Sequence, residues 1–180
     1  MVAIETLLED ALSHFSKALK ETRHPFRYLV LGTSVPNHFP QLRTVVLRNF
    51  DSINLVFTIY TDTRTEKIKE LTLQPKAQLL FYHSKEQLQI RVSCTILEIQ
   101  NSVKIFKNLS PKSQRDYTIK PAPGFVINTP EAITYGKEGT HFRKLLFQAQ
   151  EIEYLKIQKP YHLRAKFFRS NDWKGQFIVP

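Results

Sequence analysis

The chain has 180 residues, of which 42% are hydrophobic and 23% charged, and its formal net charge is +10. That size and balance suit one folded domain over residues 1–180 and argue against disorder. Five glycines, with neither GxGxxG nor a GxxxxGKS/T loop, exclude the common dinucleotide and P-loop devices.

A single cysteine excludes an internal disulfide and a thiolate metal site, and the six histidines show no metal-binding spacing. The positive charge is spread along the chain without a Lys/Arg block. It reads either as a solvated surface or as attraction for phosphorylated small molecules, and its dispersal argues against nucleic acid. No apolar run approaches the ~20 residues of a membrane span and no basic-then-apolar leader opens the sequence, so the expectation is a cytoplasmic protein.

In chain order, Ile4, Leu7, Leu8, Ala11, Leu12, Phe15 and Leu19 recur at three- and four-residue steps and predict an amphipathic helix, which Pro25 ends. Strands are expected at 28–33, 42–48, 53–60 and 77–83, with "VPNHFP" and "NFDS" as turns. The segment 87–99 alternates most cleanly and places Cys94 on its buried side. A short helix interrupts the strands. Thr63 and Glu66 fit a capping box with Thr63 as N-cap, Ile68 and Leu71 face inward, and Pro75 stops the helix. Two further helical pieces are expected near 102–108 and from Pro111. Residues 119–140, with three prolines and three glycines, read as a long loop of the kind that is functional or mobile. Strands at 143–157, 161–169 and 174–179 close the chain. Six or more strands with short connections predict a mostly antiparallel, barrel-like α+β domain with a few peripheral helices.

Arg43, Arg48, Arg64 and Lys67 surround two strand ends, with Thr61, Thr63 and Thr65 among them. A helix N-terminus offers unpaired N–H groups and partial positive charge, and threonine hydroxyls and cations beside it suit a phosphate. On the residues alone, simple capping with solvated cations stays open.

These stretches also resemble a known family, the pyridoxamine 5'-phosphate oxidase-like FMN-binding split barrels. "RTVVLRNFD" is similar to the family's first flavin segment and "FTIYTDTRTEKIKEL" to its second. "PKAQLLFYHSKEQLQIRVSCTILEI" resembles the two strands that follow, and "NDWKGQFIVP" the C-terminal end. "ETRHPFRYLVLGT" points to a branch of small relatives. The resemblance implies a split β-barrel, an FMN cofactor, a homodimer with shared sites and oxidoreductase chemistry on a small molecule. A non-catalytic FMN-binding or nucleic-acid-binding module is the alternative.

By the same resemblance Arg43, Thr44, Val45, Val46, Leu47 and Arg48 line the flavin site and Tyr60 and Thr61 touch the flavin. Lys67 binds the phosphate with Thr65 beside it, Gln89 contacts the cofactor from a neighbouring strand, and Lys166 stands where the family has a late arginine. The family's Arg-Lys pair is here Glu66-Lys67, with Arg64 as the stand-in for the missing cation. Strand alternation puts Arg43 and Arg48 on opposite faces, which a site shared by two subunits could use. On the substrate side, aligning Ser113 with the family's pattern puts Leu109 at the phosphate-holding arginine and Ile105 at a tyrosine. His162 and Arg164 stand in reversed order and remain candidates for an anionic substrate.

Overall fold

In the computed structural model, which describes residues 2–180, helix α1 (Ile4–Lys20) leads into β1 (Tyr28–Thr33), β2 (Gln41–Val46), β3 (Asn49–Asp51) and β4 (Val56–Asp62). Helix α2 (Glu66–Leu73), β5 (Lys76–His83) and β6 (Leu88–Gln100) follow, then the short helices α3 (Val103–Lys107) and α4 (Pro111–Arg115). After a long loop come β7 (Phe142–Lys156), β8 (Leu163–Phe168) and β9 (Gly175–Phe177). The strands form one sheet in the order β2–β1–β5–β6–β7–β4–β3, with β8 on β7 and β9 on β8. All pairings are antiparallel, as the short connections predict.

Strand β7 splits the barrel. Residues 142–148 pair with β4, and residues 151–156 pair with β8. Register shifts in β6 between Ser93 and Cys94 and between Ile96 and Glu98 bend the ladder where the handover occurs. Alternation then sorts the side chains. Leu29 and Leu31, Leu79 and Phe81, and Ile90 and Val92 point inward, while Tyr28, Tyr82 and Arg91 point outward.

The predicted stripe of α1 closes this core. Leu7, Ala11, Phe15 and Ala18 are buried, and Phe15 meets Phe81, Phe57, Phe50 and Phe26 at ring centroid distances of 4.8, 4.9, 5.1 and 5.9 Å. A second, smaller cluster of Phe106, Tyr117 and Phe142 packs with Tyr60, Ile105 and Leu109.

Four local expectations differ from the structure. "NFDS" is a strand in its first three residues rather than a turn, because Asn49, Phe50 and Asp51 pair with Thr58, Phe57 and Val56. The turn comes later: the Asp51 carboxylate accepts from the N–H groups of Ile53 and Asn54, so β4 begins at Val56 and not at residue 53. β2 ends at Val46, because Leu47 N–H donates to the Arg27 carbonyl and Arg48 N–H to the Thr58 carbonyl, so the chain is changing sheet partners there.

Helix α2 has Thr65 as its N-cap residue rather than Thr63. Asp62 is the reason. Its carboxylate accepts from Arg64 N–H (2.8 Å) and its carbonyl from Thr65 N–H (3.2 Å), a local turn that delays the helix. Glu66 takes no capping role and pairs with Lys69 at 2.9 Å. The inward positions hold: Leu71 is buried and Ile68 packs on the core.

Candidate functional site

Where β4 gives way to α2, the sequence leaves a helix start without a side-chain cap. The Thr65 hydroxyl, which would ordinarily accept from a helical N–H, instead donates to the Asp62 carbonyl (2.7 Å). It also lies 3.3 Å from the hydroxyl of Thr61, a buried residue at the end of β4. Lys67, in the first turn, reaches back so that its Nζ donates to Thr61 Oγ1 at 3.1 Å. Burial holds the Lys67 ammonium below the usual lysine range, and the nearby Arg43 charge lowers it further against the opposing pull of Asp62 and Glu70.

Arg43 comes to the same place from β2. Its guanidinium donates to the Thr33 hydroxyl and, at 2.8 Å, to Glu70 on α2; Thr33 in turn donates to Glu70. Two cations, three threonine hydroxyls and an uncapped helix start therefore share one corner. Such a set can take a dianion, with the helix N-terminus adding donors and positive potential.

Arg48 stands at the neighbouring edge, its guanidinium 5.5 Å over the Tyr60 ring. Tyr60 and Tyr117 each pack edge-on against Phe142 at 5.0 Å. Burial pushes both phenols above their ordinary pKa, and the Arg48 charge opposes it. Of the intervening residues, Leu47 is fully buried and Val45 packs on the core, while Thr44 is exposed opposite Val30 and Val46 is half-buried opposite Tyr28. Within this segment only Arg43 and Arg48 present charge.

Arg64 is not gathered with Lys67 and Arg43. Its Nη2 contacts Asp62 at 2.7 Å, and its guanidinium donates to the carbonyls of Ile119 (2.6 Å) and Lys120 (3.0 Å). Arg64 thus ties the base of the long loop to β4. The bridge between Ile119 and Tyr135 and the stacking of Arg115 4.0 Å from the Tyr135 ring fix the same loop from its other side.

Gln89, Arg164 and Lys166 form a separate group. Gln89 pairs with Leu155 and Arg164 pairs with the same residue from β8, so both lie at the far end of β7 from Arg143, the partner of Thr61. Glu153 dominates this region. It is 2% exposed and accepts from Arg91 and Arg164, the latter at 2.9 Å, while Lys166 lies 2.8 Å from Glu151 and 3.7 Å from Glu153. Burial raises the Glu153 pKa, but its arginine hydrogen bonds outweigh that and hold the carboxyl below its ordinary value. His162 stays on the chain before β8, its Nδ1 3.0 Å from the Gln158 carbonyl.

Sequence reasoning missed Glu70 and Thr33, which aim Arg43, and Tyr117, which walls the aromatic side. Glu70 carries a readable signal, three residues after Lys67 and so on the same helix face. Tyr117 and Thr33 do not, because only the tertiary fold brings them in.

Residues 9–100 match the family model described as pyridoxamine 5'-phosphate oxidase, FMN-binding domain. The pyridoxine/pyridoxamine 5'-phosphate oxidase of Rubrobacter xylanophilus is 36% identical over 81 residues, which is 45% of this chain and 36% of that protein. The oxidase of the same name from Trichormus variabilis is 25% identical over 171 residues, covering 92% of this chain and 69% of the relative. The match thus spans only about a third of the Rubrobacter oxidase. Among solved structures, a pyridoxamine 5'-phosphate oxidase-related FMN-binding protein from Nostoc punctiforme superposes with a TM-score of 0.77 at 23% identity, covering all of both chains. PhzG from Burkholderia lata, in complex with tetrahydrophenazine-1-carboxylic acid, gives 0.74 at 20% identity and covers 97% of this chain and 91% of its own. At those identities the two structures establish a shared fold.

Proposed function

The chain belongs to the pyridoxamine 5'-phosphate oxidase family of FMN-binding domains, and from that premise we propose that it is an FMN-dependent oxidoreductase whose cofactor phosphate sits at the start of α2. The observation that carries this reading is Lys67, a half-buried ammonium hydrogen-bonded to a threonine hydroxyl beside an uncapped helix. Holding a desolvated cation there costs stability, and a bound phosphate offsets that cost.

Lys67 and Arg43 supply charge to the phosphate, Thr61 and Thr65 supply hydroxyl donors, and Glu70 keeps Arg43 in place. The Arg43–Arg48 segment and Tyr60 border the ring, with Arg48 offering positive charge beside it. FMN, when bound, supplies the hydride-accepting chemistry. The protein contributes binding, orientation and charge. Arg64 anchors the long loop in this reading and is not a phosphate ligand.

The second group of residues supports a homodimer. Gln89, Arg164 and Lys166 cannot join Lys67 within one chain, since β7 separates them. They lie instead on the outer sheet face, which also exposes Tyr28 (59%), Tyr82 (56%) and Leu42 (72%). A groove of about 650 Å³ lined by Gly32, Leu42, Gln78, Ser93, Glu151 and Phe168 opens on that face. Covering this apolar strip with a second copy of the chain would bring one protomer's Gln89 and Lys166 to the other's phosphate corner. Light scattering combined with flavin absorbance tests the proposal: a dimer carrying two FMN is expected, and a monomer that binds one FMN stoichiometrically would overturn the shared site.

The substrate differs from pyridoxamine 5'-phosphate in this reading. Leu109 and Ile105 pack into the Phe106–Tyr117–Phe142 cluster and offer an anion nothing. Arg164 is already hydrogen-bonded to Glu153, which holds its guanidinium towards β7. The pairing of Arg43, Arg64, Arg91, Arg164 and Lys166 with carboxylates also supports a small ligand over a nucleic acid.

A further inference from the structure

Away from the flavin corner, three histidines meet where α1, the turn before β1 and the end of β5 converge. His14 and His24 are buried and His83 is partly so; the ring centroids of His14 and His24 lie 5.4 Å apart, those of His14 and His83 5.6 Å, and those of His24 and His83 5.7 Å. Phe26 packs against His14 at 5.1 Å and against His24 at 5.5 Å.

The hydrogen bonds fix the tautomers. Phe26 N–H donates to His24 Nδ1 (3.1 Å), so neutral His24 carries its proton on Nε2, which is 3.2 Å from His14 Nδ1. His14 therefore accepts there and carries its own proton on Nε2, 3.6 Å from Asp10 and 3.5 Å from Glu86. Glu86 N–H donates to His83 Nδ1 (3.2 Å), which leaves the His83 proton on Nε2, 3.3 Å from Glu86 Oε1. All three rings are satisfied while neutral. An added proton on His24 would meet the Phe26 N–H, and one on the free position of His14 would meet the His24 N–H. Both are donor-to-donor contacts in a buried site.

We propose that this chain of imidazoles is a pH-sensitive latch: in the neutral form it holds α1 on the barrel, and protonation releases the helix. The helix is the part that yields because it is joined to the cluster by side chains, whereas β5 and β7 are also held by backbone ladders. Release of α1 would uncover the aromatic socket of Phe15. None of the residues assigned to FMN takes part.

The charged and titratable groups around the cluster set the sign. Asp10 and Glu86 favour a proton on His14, and Glu21 favours one on His24; Lys17 and His83 oppose both, and His14 opposes one on His24. From β7, Tyr154 donates to Asp10 (2.8 Å) and Lys156 lies 3.6 Å from Glu86, so part of each carboxylate's charge is already engaged. Burial is the largest influence, and His14 and His24 are both held below the ordinary 6.5. A group whose folded pKa is depressed binds its proton more readily in the open state. Latching is therefore at full strength above pH 6.5 and is lost as pH falls below that value towards the folded pKa.

Amide hydrogen exchange read by mass spectrometry, corrected for intrinsic rates, tests this on the intact protein from about pH 7.5 to 5. Below pH 6.5 the opening constant of α1 is expected to rise by up to about tenfold per pH unit for each of the two buried histidines, while β6 stays protected. In the His14→Gln, His24→Gln double variant, α1 should exchange faster at neutral pH and lose the steep acid dependence. Should that variant fail to fold, the wild-type profile decides alone. Exchange of α1 that ignores pH, or α1 and β6 opening together as a global acid transition, would overturn the latch.

Discussion

Lys67→Met is expected to weaken FMN binding by roughly 10- to 150-fold, the loss of one charge-assisted hydrogen bond of about 1.5–3 kcal/mol. The same substitution should leave the apo protein as stable as before. Lys67 is desolvated and its side-chain hydrogen bond goes to a neutral hydroxyl, so an apolar chain of similar length removes a buried ion without orphaning a partner. Arg64→Ala makes the opposite trade. It takes the counter-ion from Asp62, whose side chain is only 6% exposed and keeps just the backbone N–H of residue 64, and frees the carbonyls of Ile119 and Lys120. The expected cost is about 3 kcal/mol of stability, the range for a broken buried pair. Flavin-fluorescence titration and urea unfolding of both variants separate the two roles. Unchanged FMN affinity in Lys67→Met would return the corner to ordinary packing.

Pyridoxamine 5'-phosphate oxidation should be slow or absent in FMN-loaded protein under air, with turnover below the ~1–10³ per second of ordinary enzymes. A phosphate dianion entering a pocket needs a cation or helix terminus to replace its water. Ile105 and Leu109 provide neither, and Arg164, the other candidate for an anionic substrate, is bonded to a buried glutamate. Each lost cationic contact should lower kcat/KM by about 10- to 100-fold. Leu109→Arg is expected to restore part of that, measured as pyridoxal 5'-phosphate formed. Enzyme-like turnover by the natural sequence would show that the leucine is no obstacle.

Much of the fold was legible in the sequence because single periodicities decide it. The α1 stripe depends on the 3.6-residue repeat and β6 on strict alternation, and both elements lie where those patterns put them. β3 was not legible, since three residues carry no period and its pairing with β4 is what makes it a strand. The start of α2 was misread because Thr63 and Glu66 satisfy a local pattern that Asp62 overrides with its own acceptors. The candidate site divides in the same way. Thr61, Thr65 and Lys67 are close in sequence and come together on one strand-to-helix junction. Arg43 depends on Glu70 and Thr33, contacts between distant segments. Gln89 and Lys166 stand apart from Lys67 in the protomer, for reasons of strand register that no local motif encodes.

The most direct measurement is a parallel titration of the apo protein with FMN and with riboflavin, which share the ring and differ in the phosphate. A phosphate held by Lys67, Arg43 and the start of α2 predicts that FMN binds at least about 100-fold more tightly, since two or more charge-assisted contacts are at stake. Equal affinities for the two flavins would contradict the assignment of that corner as the phosphate site.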